Sequence, residues 1–262
     1  VSKVSKQKDV PAVRAGAGKV VMLYWWLKFV FVGPFISVYN RPRVEGLENI
    51  PDDGPAILAG NHLSIADWLF APLLVRRRIT YLAKSEYFTT PGFKGMLMRW
   101  FYTGAGQYPI DRSGGDAAES ALRTARRLLD EGKLVGLYPE GTRSPDGRLY
   151  KGKTGMARVA LETGVPVIPV AMIGTDKVCP PGPFKWRRHR VTLKIGKPID
   201  FSRFEGMGGN RFVERAVTDE VMYELMQLSG QEYVDIYAAS LKNKSAPSSA
   251  TSADRIPDTR AS

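Results

Sequence analysis

From Arg41 onward the chain alternates short apolar runs with amphipathic stretches. That alternation restricts it to strands laid side by side with helices packed across them. Residues 56–60, 80–83, 105–110, 134–138, 167–172 and 191–195 read as strands, and residues 65–75, 93–102, 116–131 and 155–162 as helices between them. The expected architecture is α/β, a mostly parallel sheet flanked by helices. Residues 116–131 carry the clearest helical signature. Asp116 and Glu119 match a capping box, Leu122, Ala125, Leu128 and Leu129 fall on one face, and Gly132 closes the segment. Residues 211–241 read as helical with a break near Gly230.

The flanks differ from this domain. Residues 20–39 are apolar except at Lys28, Ser37 and the Gly33-Pro34 break, and basic residues precede them. Twenty helical residues reach about 30 Å, the thickness of a bilayer core. Lys28 and the Gly-Pro pair count against a clean span. A bent helix lying partly in a membrane interface fits better, with Tyr24, Trp25, Trp26 and Tyr39 suited to the headgroup zone; a buried core helix is the alternative. Asn40-Arg41-Pro42-Arg43 stands where a cleavage site would follow a signal peptide, so the segment is expected to be retained. Past Leu241 the chain is rich in Ser, Ala, Thr, Asp and Arg, and reads as disordered. The expected division is 1–40, a basic N-terminus with a membrane-associated helical segment; 41–241, the α/β domain with C-terminal helices; and 242–262, the tail.

A formal charge of +12 over 262 residues calls for an anionic partner: nucleic acid, an anionic membrane surface or a phosphorylated substrate. The single cysteine, Cys179, excludes an internal disulfide, and with only two histidines leaves no metal cluster to expect.

Two short segments carry the chemistry. In Asn61-His62-Leu63-Ser64-Ile65-Ala66-Asp67 a histidine follows a strand and a carboxylate lies five residues on. Those positions do not share a face of one regular helix. They meet if His62 stays in the loop, Ser64 caps the next helix and Asp67 sits in its first turn at N3. Asp67 would then fix the imidazole tautomer and leave the other ring nitrogen as a general base. The plainer reading makes Asp67 a capping residue only. The second segment, Tyr138-Pro139-Glu140-Gly141-Thr142-Arg143-Ser144, also follows a strand, and strand ends share one rim in an open α/β sheet. Arg112, beyond Ile110-Asp111, would reach that rim, and with Arg143 could clamp a phosphate.

These segments resemble the glycerolipid acyltransferase family. His62 and Asp67 match its H-x4-D block, Gly106 to Arg112 its second block, Glu140-Gly141-Thr142-Arg143-Ser144 its E-G-T-R-S block, and Val165-Pro-Val-Ile-Pro-Val170 its fourth. Lys84-Ser85-Glu86 and Lys153-Thr154-Gly155 also resemble family positions, and Tyr138 stands where the family often has Phe. The resemblance implies an acyltransferase. It would move a fatty acyl group from acyl-CoA or acyl carrier protein to the free hydroxyl of 1-acylglycerol-3-phosphate (lysophosphatidic acid), with another lysophospholipid acceptor as the alternative. His62 would be the base, Asp67 its orienter, and Lys84, Arg112, Glu140, Gly141, Arg143 and Lys153 would make up the phosphate-binding pocket. It implies no cofactor beyond the acyl donor and no nucleic-acid partner; the apolar N-terminal segment and the basic residues add the expectation of a monotopic or peripheral place on an anionic membrane surface, at the cytoplasmic face of the cell membrane.

Other features are weaker. Gly147 to Thr154 satisfies the P-loop pattern, but no strand leads into it, so a basic NTPase or nucleic-acid-binding protein is the less favoured alternative. The run Lys185-Trp186-Arg187-Arg188-His189-Arg190 suits an anionic membrane or the phosphates of the donor. The helix start after Ser64 is the expected source of oxyanion donors. Cys179 has no matching base and is expected to be unreactive.

Overall fold

The computed structural model describes residues 22, 25–110, 117–182, 184–204 and 206–245. Its strands are β1 (Arg43–Glu45), β2 (Ala56–Gly60), β3 (Ile79–Lys84), β4 (Gln107–Ile110), β5 (Leu134–Leu137), β6 (Leu149–Tyr150), β7 (Val167–Ile173), β8 (Thr192–Ile195) and β9 (Tyr233–Val234). Seven form one sheet in the order β1-β8-β7-β2-β5-β3-β4, parallel throughout except for the β7–β8 pair. β6 and β9 pair separately. The helices are α1 (Val32–Tyr39), α2 (Asp67–Leu74), α3 (Glu86–Thr89), α4 (Gly92–Gly104), α5 (Ala117–Asp130), α6 (Gly155–Thr163), α7 (Thr175–Val178), α8 (Arg211–Ser229) and α9 (Ala238–Ser245).

Alternation along the buried strands builds two cores. Ala56 and Leu58 of β2 and Leu134 of β5 face α2, where they meet Phe70 and Ala71. Ile57, Ala59 and Val135 face the opposite way, onto Leu128 of α5, Ala157 of α6 and Val221 of α8. β2 and β5 are neighbours. The chain leaves β2 through α2 toward β3 and leaves β5 through α6 toward β7, that is, toward opposite edges of the sheet. In open α/β sheets ligands bind above the carboxyl ends of strands whose connections part in this way, and both chemistry-bearing segments begin there.

The expected α/β architecture with a mostly parallel sheet is the one observed. The strand expected at 191–195 is present but antiparallel to β7. β1, β6 and β9 were not expected, being too short to display alternation. The break expected near Gly230 in the helical reading of 211–241 is present: Gly230 takes φ +69 and closes α8, and β9, which was not expected, intervenes before α9. Asp116, the expected cap of α5, lies outside the described residues. α9 continues to Ser245, so the expected tail begins inside it, and residues 246–262 lie outside the described residues.

In the N-terminal segment a π-helical turn at Leu27–Phe31 leads into α1. Among the described residues no helix is long and apolar enough to cross a membrane. Ile36 of α1 is buried in the core, whereas Trp26, Phe29, Val30, Phe35 and Val38 are exposed. Lys28 fastens this segment to α2. It is buried, its Nζ donates to the Val75 carbonyl, and it lies 5.2 Å and 5.6 Å from the ring centroids of Trp25 and Phe29. Burial lowers its pKa from 10.5 to about 8. Between those values the unfolded chain holds a proton that the folded chain lacks, so the contribution of Lys28 to stability rises with pH. The melting temperature of the wild type should therefore rise relative to Lys28→Met between pH 8 and pH 10. A constant difference across that range would contradict the buried placement.

Candidate active site

His62 follows β2 in the loop before α2. Its Nδ1 lies 2.8 Å from Oδ2 of Asp67, with the imidazole 19% exposed and the carboxylate fully buried. The same oxygen accepts the amides of Leu63 at 2.7 Å and Ser64 at 2.8 Å. An oxygen that already accepts two N–H groups is an acceptor toward the imidazole too, so the proton sits on Nδ1 and Nε2 is left for chemistry.

The local mechanism differs from the expected cap. Asp67 is the first residue of α2, not N3, and it closes the loop by reaching back to the preceding amides. Ser64 does not cap the helix: its hydroxyl donates to the Cys179 carbonyl at 2.7 Å and accepts the Ala66 amide at 3.1 Å. The amides of Leu63, Ser64 and Ala66 are all engaged within the loop, so the expected oxyanion donors are not available from them. Cys179 is buried.

The second segment holds the first by its backbone. Glu140 is buried, with Oε1 accepting the His62 amide at 2.9 Å and Oε2 accepting the Tyr150 amide at 3.0 Å. Ser144 donates its amide to the His62 carbonyl at 2.7 Å. Both polar backbone groups of His62 are thus fixed by this loop. Glu140, expected among the phosphate-binding residues, turns its carboxylate to these two amides and so braces the loop that carries His62. Tyr138 stacks on the imidazole with ring centroids 4.0 Å apart and planes 14° apart, and Tyr81 stacks on Tyr138 at 5.5 Å. Burial, followed by the neighbouring Tyr81 and Asp67, pushes the Tyr138 hydroxyl well above the usual tyrosine range, so this ring stays neutral. Gly136 makes room for the stack, since a Cβ there would fall 2.2 Å from the Tyr81 ring.

Of the expected cationic residues, Arg143 and Lys153 belong to this loop and its neighbour. Gly141 adopts φ +70, and a Cβ on it would meet the Lys153 side chain at 3.2 Å, so the lysine lies along the loop. The Lys153 amide donates to the Pro139 carbonyl at 2.8 Å. Arg143 is exposed. Lys84 ends β3, in register with Ile110 at the end of β4. Arg112, two residues beyond Ile110, lies outside the described residues. The P-loop-like match is not a phosphate cradle, because β6 occupies its middle and pairs with β9. β8 enters the sheet beside the end of β7, so the basic run 185–190 reaches the rim at the carboxyl end of β7. It is anchored by the Asn40 side chain, which donates to the Arg187 and His189 carbonyls at 3.2 Å and 2.9 Å.

Three participants escaped sequence reasoning: Tyr138 as a stacking partner, Asn61 and Gln231. Asn61 is fully buried; its amide donates to the Met172 carbonyl at 3.0 Å and to Gln231 Oε1 at 2.6 Å, and its Oδ1 accepts the Met172 amide at 2.7 Å. The polar Asn before His62 was a signal for the first of these ties. Nothing near Gln231 marks it.

With this geometry in place, comparison with known proteins is specific. The family model described as Acyltransferase matches residues 41–173. A chloroplastic 1-acyl-sn-glycerol-3-phosphate acyltransferase of Arabidopsis thaliana is 35% identical over 172 residues, 64% of this chain and 47% of that protein. A 1-acyl-sn-glycerol-3-phosphate acyltransferase of Bacillus subtilis is 28% identical over 64% of this chain and 76% of its own length. The chain spans about half the length of the plant relatives it matches first. The crystal structure of the 1-acyl-sn-glycerophosphate acyltransferase PlsC from Thermotoga maritima superposes with a TM-score of 0.53 at 26% identity, over 79% of this chain and 95% of that one.

Proposed function

Because the chain belongs to the acyltransferase family, we propose that it transfers a fatty acyl group from a thioester, acyl-CoA or acyl carrier protein, to the free hydroxyl of 1-acylglycerol-3-phosphate, giving phosphatidic acid. The observation that carries this reading is the imidazole held through Nδ1 by a buried carboxylate in the loop at the carboxyl end of β2, beside β5. Nε2 of His62 takes the hydroxyl proton as the oxygen attacks the thioester carbonyl. The tetrahedral adduct collapses, the C–S bond breaks, and the imidazolium returns the proton to the leaving thiolate. Asp67 orients the ring and stabilises the imidazolium. The thioester is already activated, so alignment of the two substrates supplies much of the acceleration. Arg143 and Lys153, with Lys84 and Arg112 at their family positions, hold the acceptor phosphate.

The exposed apolar residues of the N-terminal segment and the basic run 185–190 support a monotopic or peripheral attachment to an anionic membrane at its cytoplasmic face. Each Lys or Arg near such a surface adds about 1 kcal/mol of attraction. The test is release of free thiol from long-chain acyl-CoA and from acyl carrier protein with a panel of acceptors. Release should require an acceptor and be fastest with 1-acylglycerol-3-phosphate. Equal rates with lysophosphatidylcholine, or release without any acceptor, would overturn the assignment.

A further inference from the structure

The catalytic loop is held by a ring of hydrogen bonds that closes through one side chain far away in sequence. Gln231 accepts from Asn61 Nδ2 at 2.6 Å and donates from Nε2 to the Gly147 carbonyl, also at 2.6 Å. Gly147 donates its amide to Ser144 Oγ at 3.0 Å, and Ser144 donates its own amide to the His62 carbonyl at 2.7 Å. Asn61 is joined to His62 by a peptide bond. Gln231 therefore joins the two loops meeting at His62 through Asn61 and Gly147, in addition to the Glu140 side chain. It is itself fixed by its surroundings: Gly230 closes α8, the Leu149 amide donates to the Glu232 carbonyl at 2.9 Å, and β9 pairs with β6. Gln231, Gly230 and β9 lie beyond residue 173, where the family match ends.

We infer that Gln231 is a positioning residue for His62: by bridging Asn61 and Gly147 it sets the distance between the histidine loop and the arginine loop, and so the placement of the base relative to the acceptor phosphate. Asn61 ties the end of β2 to β7, and Glu140 and the Ser144 amide tie the two loops through the backbone of His62; Gln231 adds a tie through the side chain of the preceding residue, Asn61. Removing it frees the loops to shift without opening the core, because Gln231 is only half-buried. Such a shift lowers the rate of the chemical step more than it weakens binding, since transition-state geometry is the more demanding of the two.

The inference rests on the acyl-transfer reading, and the experiment separates the two. Turnover of acyl-CoA with 1-acylglycerol-3-phosphate is measured for the wild type, Gln231→Ala, Gln231→Glu, Asn61→Ala and the double alanine variant. The kcat of Gln231→Ala should fall about tenfold, equivalent to about 1.4 kcal/mol, with both KM values within about twofold of wild type. Gln231→Glu, which keeps the acceptor for Asn61 and loses the donor to Gly147, should recover part of that loss. The double variant should be no slower than Asn61→Ala alone within about twofold, because the two residues act through one contact. If Gln231→Ala melts below the assay temperature, Gln231→Met, which fills the same volume without the amide, takes its place. Wild-type kcat in the glutamine variants, or fully additive losses in the double variant, would overturn the positioning role. Absence of turnover in the wild type with every acceptor would overturn the acyl-transfer reading instead.

Discussion

His62→Ala should fold as the wild type does and lose about 10²–10⁴-fold in turnover, the range expected for removal of a general base. The fold should survive because the ring contributes little to packing: it is partly exposed and contacts Tyr138 on one face and Asp67 at its edge. The backbone groups of His62 carry the structural load, through Glu140 and Ser144, and an alanine keeps both. Asp67 loses one of three partners and retains the two amides of Leu63 and Ser64, so its carboxylate is not stranded. A large loss of turnover together with an unchanged melting temperature would therefore separate chemistry from stability at this position. Near-normal turnover would remove the base.

Glu140→Ala should act in the opposite proportion, lowering stability as well as activity. Its two oxygens are the acceptors for the His62 and Tyr150 amides, and the residue is 1% exposed. Alanine leaves two buried N–H groups without a partner, each costing about 1–3 kcal/mol, so the expected destabilisation is about 3 kcal/mol. It also unfastens the amide of His62, the residue proposed as the base. Glu140→Gln retains the volume and one acceptor oxygen but turns an amide N–H toward the other donor, so it should fall between the two. Chemical denaturation followed alongside turnover checks this. A Glu140→Ala variant with wild-type stability would mean that the carboxylate is not the brace described here, and would return it to the ligand-facing role.

Much of this was legible in the sequence, for physical reasons. The buried central strands, with helices between them, leave an alternating apolar pattern, and strand ends of a parallel sheet share one rim; together these put His62 and the Glu140–Ser144 loop side by side. What was not legible depends on contacts between residues distant along the chain. β6 and β9 are two residues each and exist only because residues some eighty positions apart lie together. Ser64 has the chemistry of a helix cap, and only the approach of Cys179 shows where its hydroxyl goes. Glu140 sits in a polar loop, where nothing local announces that its side chain turns inward. Gln231 lies between a helix end and a short strand, and its role requires both loops to be in place.

The account turns on one imidazole, oriented by Asp67, accepting the proton of a glycerol hydroxyl. The most direct measurement is formation of phosphatidic acid from labelled acyl donor and 1-acylglycerol-3-phosphate, followed side by side for the wild type, His62→Ala and Asp67→Asn, with the fold of each verified. The account predicts labelled phosphatidic acid from the wild type and rates at least about 10²-fold lower from both folded variants. Product formed at close to the wild-type rate by either variant would contradict it.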